Sequence, residues 1–219
     1  MLGLLVLGAC DKCGSDVDLG DFALLEESKA DWYPYVGVNE LSFENSGGDT
    51  LRFALGIRRD EMVDQTYKDI CKGTKVGDIA KEIYRSERYV VEYSVVNEDI
   101  TYFLAISLYV DRFVLDGAGA LEVYDRVGYT STIKDYRNTN NPIIEGSILL
   151  VANKRGTAVE HEDLWYNETA SFAEEMQING QTYHDVWYYE LAGKPTLYVQ
   201  EGKGVVAFLG FDGVVWVLV

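Results

Sequence analysis

Ile83-Tyr84-Arg85-Ser86-Glu87-Arg88-Tyr89-Val90-Val91-Glu92-Tyr93-Ser94-Val95, then a polar break at Asn97-Glu98-Asp99, then Ile100-Thr101-Tyr102-Phe103-Leu104-Ala105-Ile106-Ser107-Leu108-Tyr109-Val110: this stretch decides the fold. Both runs are dominated by β-branched and aromatic side chains, which lose rotamer freedom in a helix and pack well on a pleated sheet. Their apolar residues recur with a period near two rather than 3.6. The pattern predicts a long antiparallel hairpin.

Upstream, Glu40-Leu41-Ser42-Phe43-Glu44 and Thr50-Leu51-Arg52-Phe53-Ala54-Leu55 alternate on either side of Asn45-Ser46-Gly47-Gly48-Asp49, a second hairpin with a glycine-rich turn. Before it, Phe22 to Ala30 reads as one short helix or an extended lead-in. Trp32-Tyr33-Pro34-Tyr35 is an aromatic cluster whose proline forbids a central strand. Residues 58–80 are less regular: Arg58-Arg59-Asp60-Glu61 reads as a solvated loop, and Lys72 to Asp78 as a turn.

Downstream, Asp116-Gly117-Ala118-Gly119 turns into Ala120 to Tyr124, and residues 135–142 form a polar loop before the strand Ile148 to Ala152. The last third is a meander. Ala170 to Ile178 leads into Asn179-Gly180, where both positions accept positive φ, and Thr182 to Tyr189 pairs back. Thr196 to Val199, Gly204 to Leu209 and Val214 to Leu218 follow, with Gly-rich turns between them. Short strands at this spacing, without βαβ alternation, define an all-β fold: an antiparallel meander forming a sandwich or barrel with at most one or two short helices. Residues 22–219 are expected to form a single domain. Any subdomain boundary would fall at 135–142.

The chain has 219 residues, an ordinary apolar fraction of 47%, and a net charge of −17, so it can bury a real core and carries a negative surface. That charge argues against nucleic acid, because no basic stripe is present to replace phosphate counterions, and against lying flat on anionic lipid. It fits simple solubility, a cationic partner or a divalent metal.

The first ten residues, Met1-Leu-Gly-Leu-Leu-Val-Leu-Gly-Ala-Cys10, are apolar to the end. Leu7-Gly8-Ala9-Cys10 resembles the lipobox of bacterial lipoproteins. The resemblance implies that residues 1–9 are a signal peptide and that Cys10 is acylated. The protein would then be held in the cell envelope, with the outer membrane the expected site and the bilayer itself a partner through the anchor. The basic n-region of a full secretion signal is missing, as it would be from a truncated start. Asp11 to Asp21 is acidic, small and turn-rich, suited to a tether over residues 10–21. With Cys10 acylated, an oxidising periplasm would permit a Cys13–Cys71 disulfide, and an ordinary buried thiol at Cys71 is the alternative.

Asn179-Gly180-Gln181-Thr182-Tyr183-His184-Asp185-Val186, Leu197-Tyr198 and Gly202-Lys203-Gly204-Val205-Val206-Ala207-Phe208 resemble the C-terminal meander of uncharacterised β-rich secreted lipoproteins. The likeness covers about the last fifth of the chain. It implies a location and a fold class, and carries over no active site.

The sequence carries no HExxH, CxxC pair, GxSxG elbow, P-loop or strand–helix GxGxxG. His161, in Glu160-His161-Glu162-Asp163, and His184, beside Asp185, read as ordinary charged or strand histidines before they read as ligands. Asp16, Asp18 and Asp21 lack the later bidentate glutamate of a calcium loop. Neither catalytic residues, metal ligands nor a cofactor are therefore assigned. Asp49-Thr50-Leu51 matches a bacterial O-glycosylation acceptor at Thr50, which is equally a plain hairpin residue.

Sixteen tyrosines and four tryptophans remain. The candidate ligand platforms are Trp32-Tyr33-Tyr35, Trp165-Tyr166 and Trp187-Tyr188-Tyr189, each equally able to pack in a core. The expected function is a lipid-anchored, non-catalytic binding or structural module meeting an envelope protein or glycan. The alternatives are an envelope hydrolase using a carboxylate pair and a barrel carrying a hydrophobic ligand.

Overall fold

The computed structural model describes residues 16–70, 79–96, 100–114, 121–137, 143–155, 170–192, 194–210 and 213–219. Its elements are β1 (Val17–Phe22), α1 (Glu26–Trp32), β2 (Glu40–Asn45), β3 (Thr50–Ile70), β4 (Ile79–Val96), β5 (Ile100–Val114), β6 (Leu121–Asp135), β7 (Ile143–Arg155), β8 (Ala170–Ile178), β9 (Gln181–Leu191), β10 (Lys194–Gln200), β11 (Gly204–Leu209) and β12 (Val215–Leu218). Among the described residues the fold is all-β with one short helix.

The strands lie in the order β7-β6-β5-β4-β3-β2-β12-β11-β10-β9-β8. Along this path every neighbour in the sheet is a neighbour in sequence except one: β2 pairs with β12, so the meander's first strand, β2, meets its last; off the path, β1 lies parallel beside β4. The sheet curls until β7 lies against β9 and β10, which nearly closes a barrel. Gly146 marks that seam. A Cβ there would sit 3.1 Å from both the Thr196 hydroxyl and the Tyr189 ring, so a side chain would wedge the seam apart.

The two hairpins predicted from alternation are present. Along β5, Tyr102, Leu104, Ile106, Leu108 and Val110 are buried while the intervening residues are partly exposed. That is the period-two signature of a sheet wet on one face. At the centre Phe43, Phe53 and Phe208 meet edge to face, with centroids 5.3, 5.1 and 5.6 Å apart. Such pairs add about 0.5–1.5 kcal/mol each beyond area burial.

α1 closes one end. Leu25, its N-cap, has no capping side chain, and β6 supplies the missing acceptor. Asp125, fully buried, accepts the Leu25 N–H at 2.8 Å and the Ser28 hydroxyl at 2.7 Å. Glu87 of β4 accepts the Leu24 N–H at 2.7 Å and pairs with Lys29 at 3.1 Å. Beyond the helix, the Tyr129 hydroxyl donates to the Trp32 carbonyl at 2.6 Å, and the Tyr35 hydroxyl accepts the Val205 N–H at 2.8 Å. Burial pushes the Tyr35 phenol well above its usual range. Gly204, at φ +73°, is where this phenol enters, since a Cβ there would lie 2.0 Å from its oxygen.

Two expectations are corrected. Arg58-Arg59-Asp60-Glu61 is not a loop but the middle of β3, paired with Val91, Val90, Tyr89 and Arg88 of β4. The ladder with β4 continues through this run while its four side chains stay exposed, and Arg58 also donates to the Tyr35 and Val38 carbonyls. A charge run is compatible with that geometry. Val17–Phe22, most of which was assigned to the tether, forms β1, pairing parallel with β4 between Glu82 and Ser86. Asp21 pairs with Arg85 there, and its carboxyl is held low by that guanidinium.

A second apolar cluster covers the outer face of the C-terminal strands. Ile178, Tyr183, Val186, Tyr198, Val206, Ala207 and Val217 form it. The β8–β9 hairpin folds over to complete it: Asp185 takes φ +53°, and Asn179 Nδ2 donates to the Val215 carbonyl at 2.9 Å. β10 and β11 are thus buried on both faces, which explains their unbroken apolar runs.

Candidate functional site

The Asn179-Gly180 turn, at φ 48° and 77°, has the double positive φ of a two-residue hairpin turn. It pairs Ile178 with Gln181, and the ladder then sets Phe172 opposite Trp187. The two rings stand 4.9 Å apart at 52°. Trp187 also rests on the barrel core, so its orientation is fixed from behind.

These rings form one wall of a surface groove of about 600 Å³, lined by Asp31, Trp32, Phe172, Asp185, Trp187, Gln200, Glu201 and Gly202. The opposite wall is the C-terminal end of α1 and the β10–β11 turn. Gly202 N–H donates to the Asp31 carbonyl at 2.6 Å and ties those two together. Asp31, Asp185 and Glu201 are exposed, and their carboxylates have no hydrogen-bond or ion-pair partner among the described residues. Gln200 donates its amide to the His184 carbonyl at 2.7 Å, leaving its buried Oε1 without a partner among the described residues. The groove therefore offers an aromatic face beside a set of hydrogen-bond acceptors.

Two other depressions are less suited to a ligand. One, about 600 Å³, is lined by Glu26, Lys29, Ala30, Tyr33, Pro34, Val36 and Tyr89. Its cation is already engaged: Lys29 reaches Glu26 at 3.0 Å, Glu87 at 3.1 Å, and the Tyr89 ring at 5.2 Å. Burial opposes the Lys29 charge, but its carboxylate partners outweigh it and hold the ammonium firmly protonated. The other, about 340 Å³, lies behind His184 and includes Gln181, Tyr183, Lys203 and Leu218. His184 is exposed and sits 3.8 Å from Glu175. Among the described residues no three His, Cys, Asp or Glu side chains are grouped to hold a metal ion.

The sequence candidates are distributed as follows. Trp32, Tyr33 and Tyr35 are 8%, 4% and 2% exposed, so they form the plug beneath α1 rather than an exposed strip; only an edge of Trp32 reaches the groove. The helix end and the turn at 34–37 fold this segment inward because its three rings complete the barrel core. Strand alternation splits the third triplet. Trp187 and Tyr189 face the barrel core, Tyr188 the outer cluster. Thr50 opens β3 opposite Glu44 and is exposed. Cys10, Cys13, Cys71, His161, Trp165 and Tyr166 lie outside the described residues. Phe172 was missed, although the Asn179-Gly180 register already placed it across from Trp187.

A scan against protein-family models finds no match, and neither comparison with curated proteins nor comparison with solved structures finds one.

Proposed function

We propose that this chain is a lipid-anchored module of the bacterial cell envelope, tethered at Cys10, that binds glycan non-catalytically in the Trp187 groove. The observation that carries the reading is the Phe172–Trp187 face set beside Asp31, Asp185, Glu201 and Gln200. Sugar rings present apolar C–H faces that stack on aromatic rings, and hydroxyls that donate to carboxylate oxygens. The groove is open and shallow, which suits a polymer passing through better than a small molecule enclosed. The lipobox resemblance of Leu7-Gly8-Ala9-Cys10 supplies the location, where glycan polymers are abundant.

The test is calorimetric titration with fragments of envelope glycan. Binding that drops at least about tenfold in Trp187→Ala, and in Phe172→Ala by a smaller factor, supports the reading. Binding of equal strength in wild type and both variants places the ligand elsewhere and defeats it.

A further inference from the structure

We propose a second binding site, on the outer face of the sheet and separate from the Trp187 groove, that takes a phosphoryl group between Ser86, Arg88 and Tyr109.

The site begins with a fork in the sheet. β3 holds one edge of β4 from Ser94 down to Ile79, so β1 and β5 share the other. β1 takes that edge as far as Ser86, where Phe22 pairs, and β5 takes it from Arg88, where Tyr109 pairs. One edge cannot serve two strands at the same place, so β5 parts from β4 there and the sheet opens. At the opening lies a pocket of about 330 Å³, lined by Gln65, Ser86, Arg88, Ser107 and Tyr109. None of these residues lines the Trp187 groove.

All five are polar, and among the described residues none of their side chains makes a hydrogen bond, ion pair or ring contact. Ser86 is only 1% exposed. A buried hydroxyl without a partner works against folding, so a group that fills its hydrogen bond is called for. Strand alternation sets Ser86 and Arg88 on the same face of β4, so hydroxyl and guanidinium address the same space. Ser107 lies over Gly128, where a Cβ would stand 3.0 Å from the Ser107 hydroxyl. Gly128 is not at positive φ, so what this glycine supplies is room.

The donor count selects the ligand. Arg88 offers a fork of N–H groups, and three hydroxyls and the Gln65 amide offer more. A carboxylate has two oxygens, and one guanidinium can pair with both. A phosphoryl group has three strong acceptor oxygens and can use donors arriving from β3, β4 and β5 together. Arg126, opposite Tyr109 on the far side, is already committed to Asp111 at 2.9 Å, so Arg88 is the cation of the site. Glu61 stands opposite Arg88 on β3, no ion pair joins them, and its charge opposes a bound anion. The net charge of −17 repels anions from the surface at large, so a bound phosphoryl group is held by these local donors.

The whole protein is titrated near neutral pH with inorganic phosphate, glycerol phosphate and acetate, and binding is read by ligand-detected NMR. Arg88→Gln, Ser86→Ala, Glu61→Gln and Trp187→Ala are titrated in parallel, each first checked for an unchanged thermal unfolding profile. Arg88 and Glu61 are exposed, so two variants remain if Ser86→Ala misfolds. The proposal expects both phosphates to bind at least about tenfold tighter than acetate. It expects Arg88→Gln to lose about tenfold, Ser86→Ala to lose a smaller factor, Glu61→Gln to tighten binding, and Trp187→Ala to change nothing. A tighter ester makes a phosphorylated small molecule the ligand, equal affinity makes it free phosphate, and both support the site.

Acetate bound as tightly as phosphate overturns the choice of a phosphoryl group. Phosphate binding that is unchanged in Arg88→Gln and Ser86→Ala lies elsewhere and overturns the site, as does failure of both phosphates to bind. The glycan reading stands or falls separately, on Trp187 and Phe172.

Discussion

Replacing Asp125 tests the fold's most exacting contact. Its carboxylate is 0% exposed and its Oδ2 accepts both the Leu25 N–H at 2.8 Å and the Ser28 hydroxyl at 2.7 Å. Hydrogen bonds to a charged group contribute roughly 1.5–3 kcal/mol each, and a buried donor stripped of its acceptor costs about 1–3 kcal/mol. Against this, Asp125→Ala removes a carboxylate that folding had to desolvate, which returns part of the loss. The net expectation is a destabilisation of about 3–4 kcal/mol. Asp125→Asn retains an acceptor but loses the charge, and should cost about half as much. Ser28→Ala removes one donor only and should cost about 1 kcal/mol. Urea unfolding followed by tryptophan fluorescence reads all three, and the Ser28/Asp125 double-mutant cycle should show coupling of about 1 kcal/mol or more. An Asp125→Ala variant within about 0.5 kcal/mol of wild type would mean that α1 is not fastened this way.

Gly204→Ala drives a methyl into the Tyr35 phenol at a φ of +73°, so it should destabilise by more than about 2 kcal/mol, visible as a lowered midpoint in thermal melts. Gly146→Val presses on Thr196 and Tyr189 and should part β7 from β9 and β10, costing roughly 1–3 kcal/mol and raising hydrogen exchange in β7. Glu87 supplies a pH signature. Burial opposes its charge, but the Leu24 N–H, Lys29 and Tyr89 outweigh it, so its folded pKa lies below the unfolded value. Its contribution is therefore complete above the unfolded carboxylate range near pH 4–5 and disappears as pH falls through the depressed folded value. Glu87→Gln should flatten the acid limb of the stability profile; an unchanged limb would assign acid unfolding to other carboxylates.

The sequence announces the hairpins because local alternation and turn chemistry carry them. Ile83 to Val110 could be little else, and Asn179-Gly180 specifies not only a turn but the register that sets Phe172 against Trp187. What is not legible is decided by partners distant in sequence. Closure depends on β2 meeting β12 and on Gly146 slipping against β9 and β10, and neither contact has a local signature. That is why sandwich and barrel stayed equal alternatives. Arg58 to Glu61 looked like a loop because charge usually marks one, yet the ladder with β4, and the Arg58 guanidinium on the Tyr35 and Val38 carbonyls, hold the run as strand. Val17–Phe22 was hidden for the same reason, its partner being a parallel strand more than sixty residues on. The groove's acids are three of thirty-six acidic residues, and only the fold separates them from the rest.

The measurement closest to the central claim is the intact mass and detergent partition of the native protein, purified from its own cells, beside a Cys10→Ser variant. Acyl chains contribute about 0.8 kcal/mol per buried methylene, so a two- or three-chain anchor carries the protein wholly into the detergent phase. A wild type that starts at residue 10, is heavier by its acyl groups and enters detergent, with a variant that does none of these, is the predicted result. A wild type that keeps residues 1–9 and stays in the aqueous phase like the variant would contradict the envelope assignment.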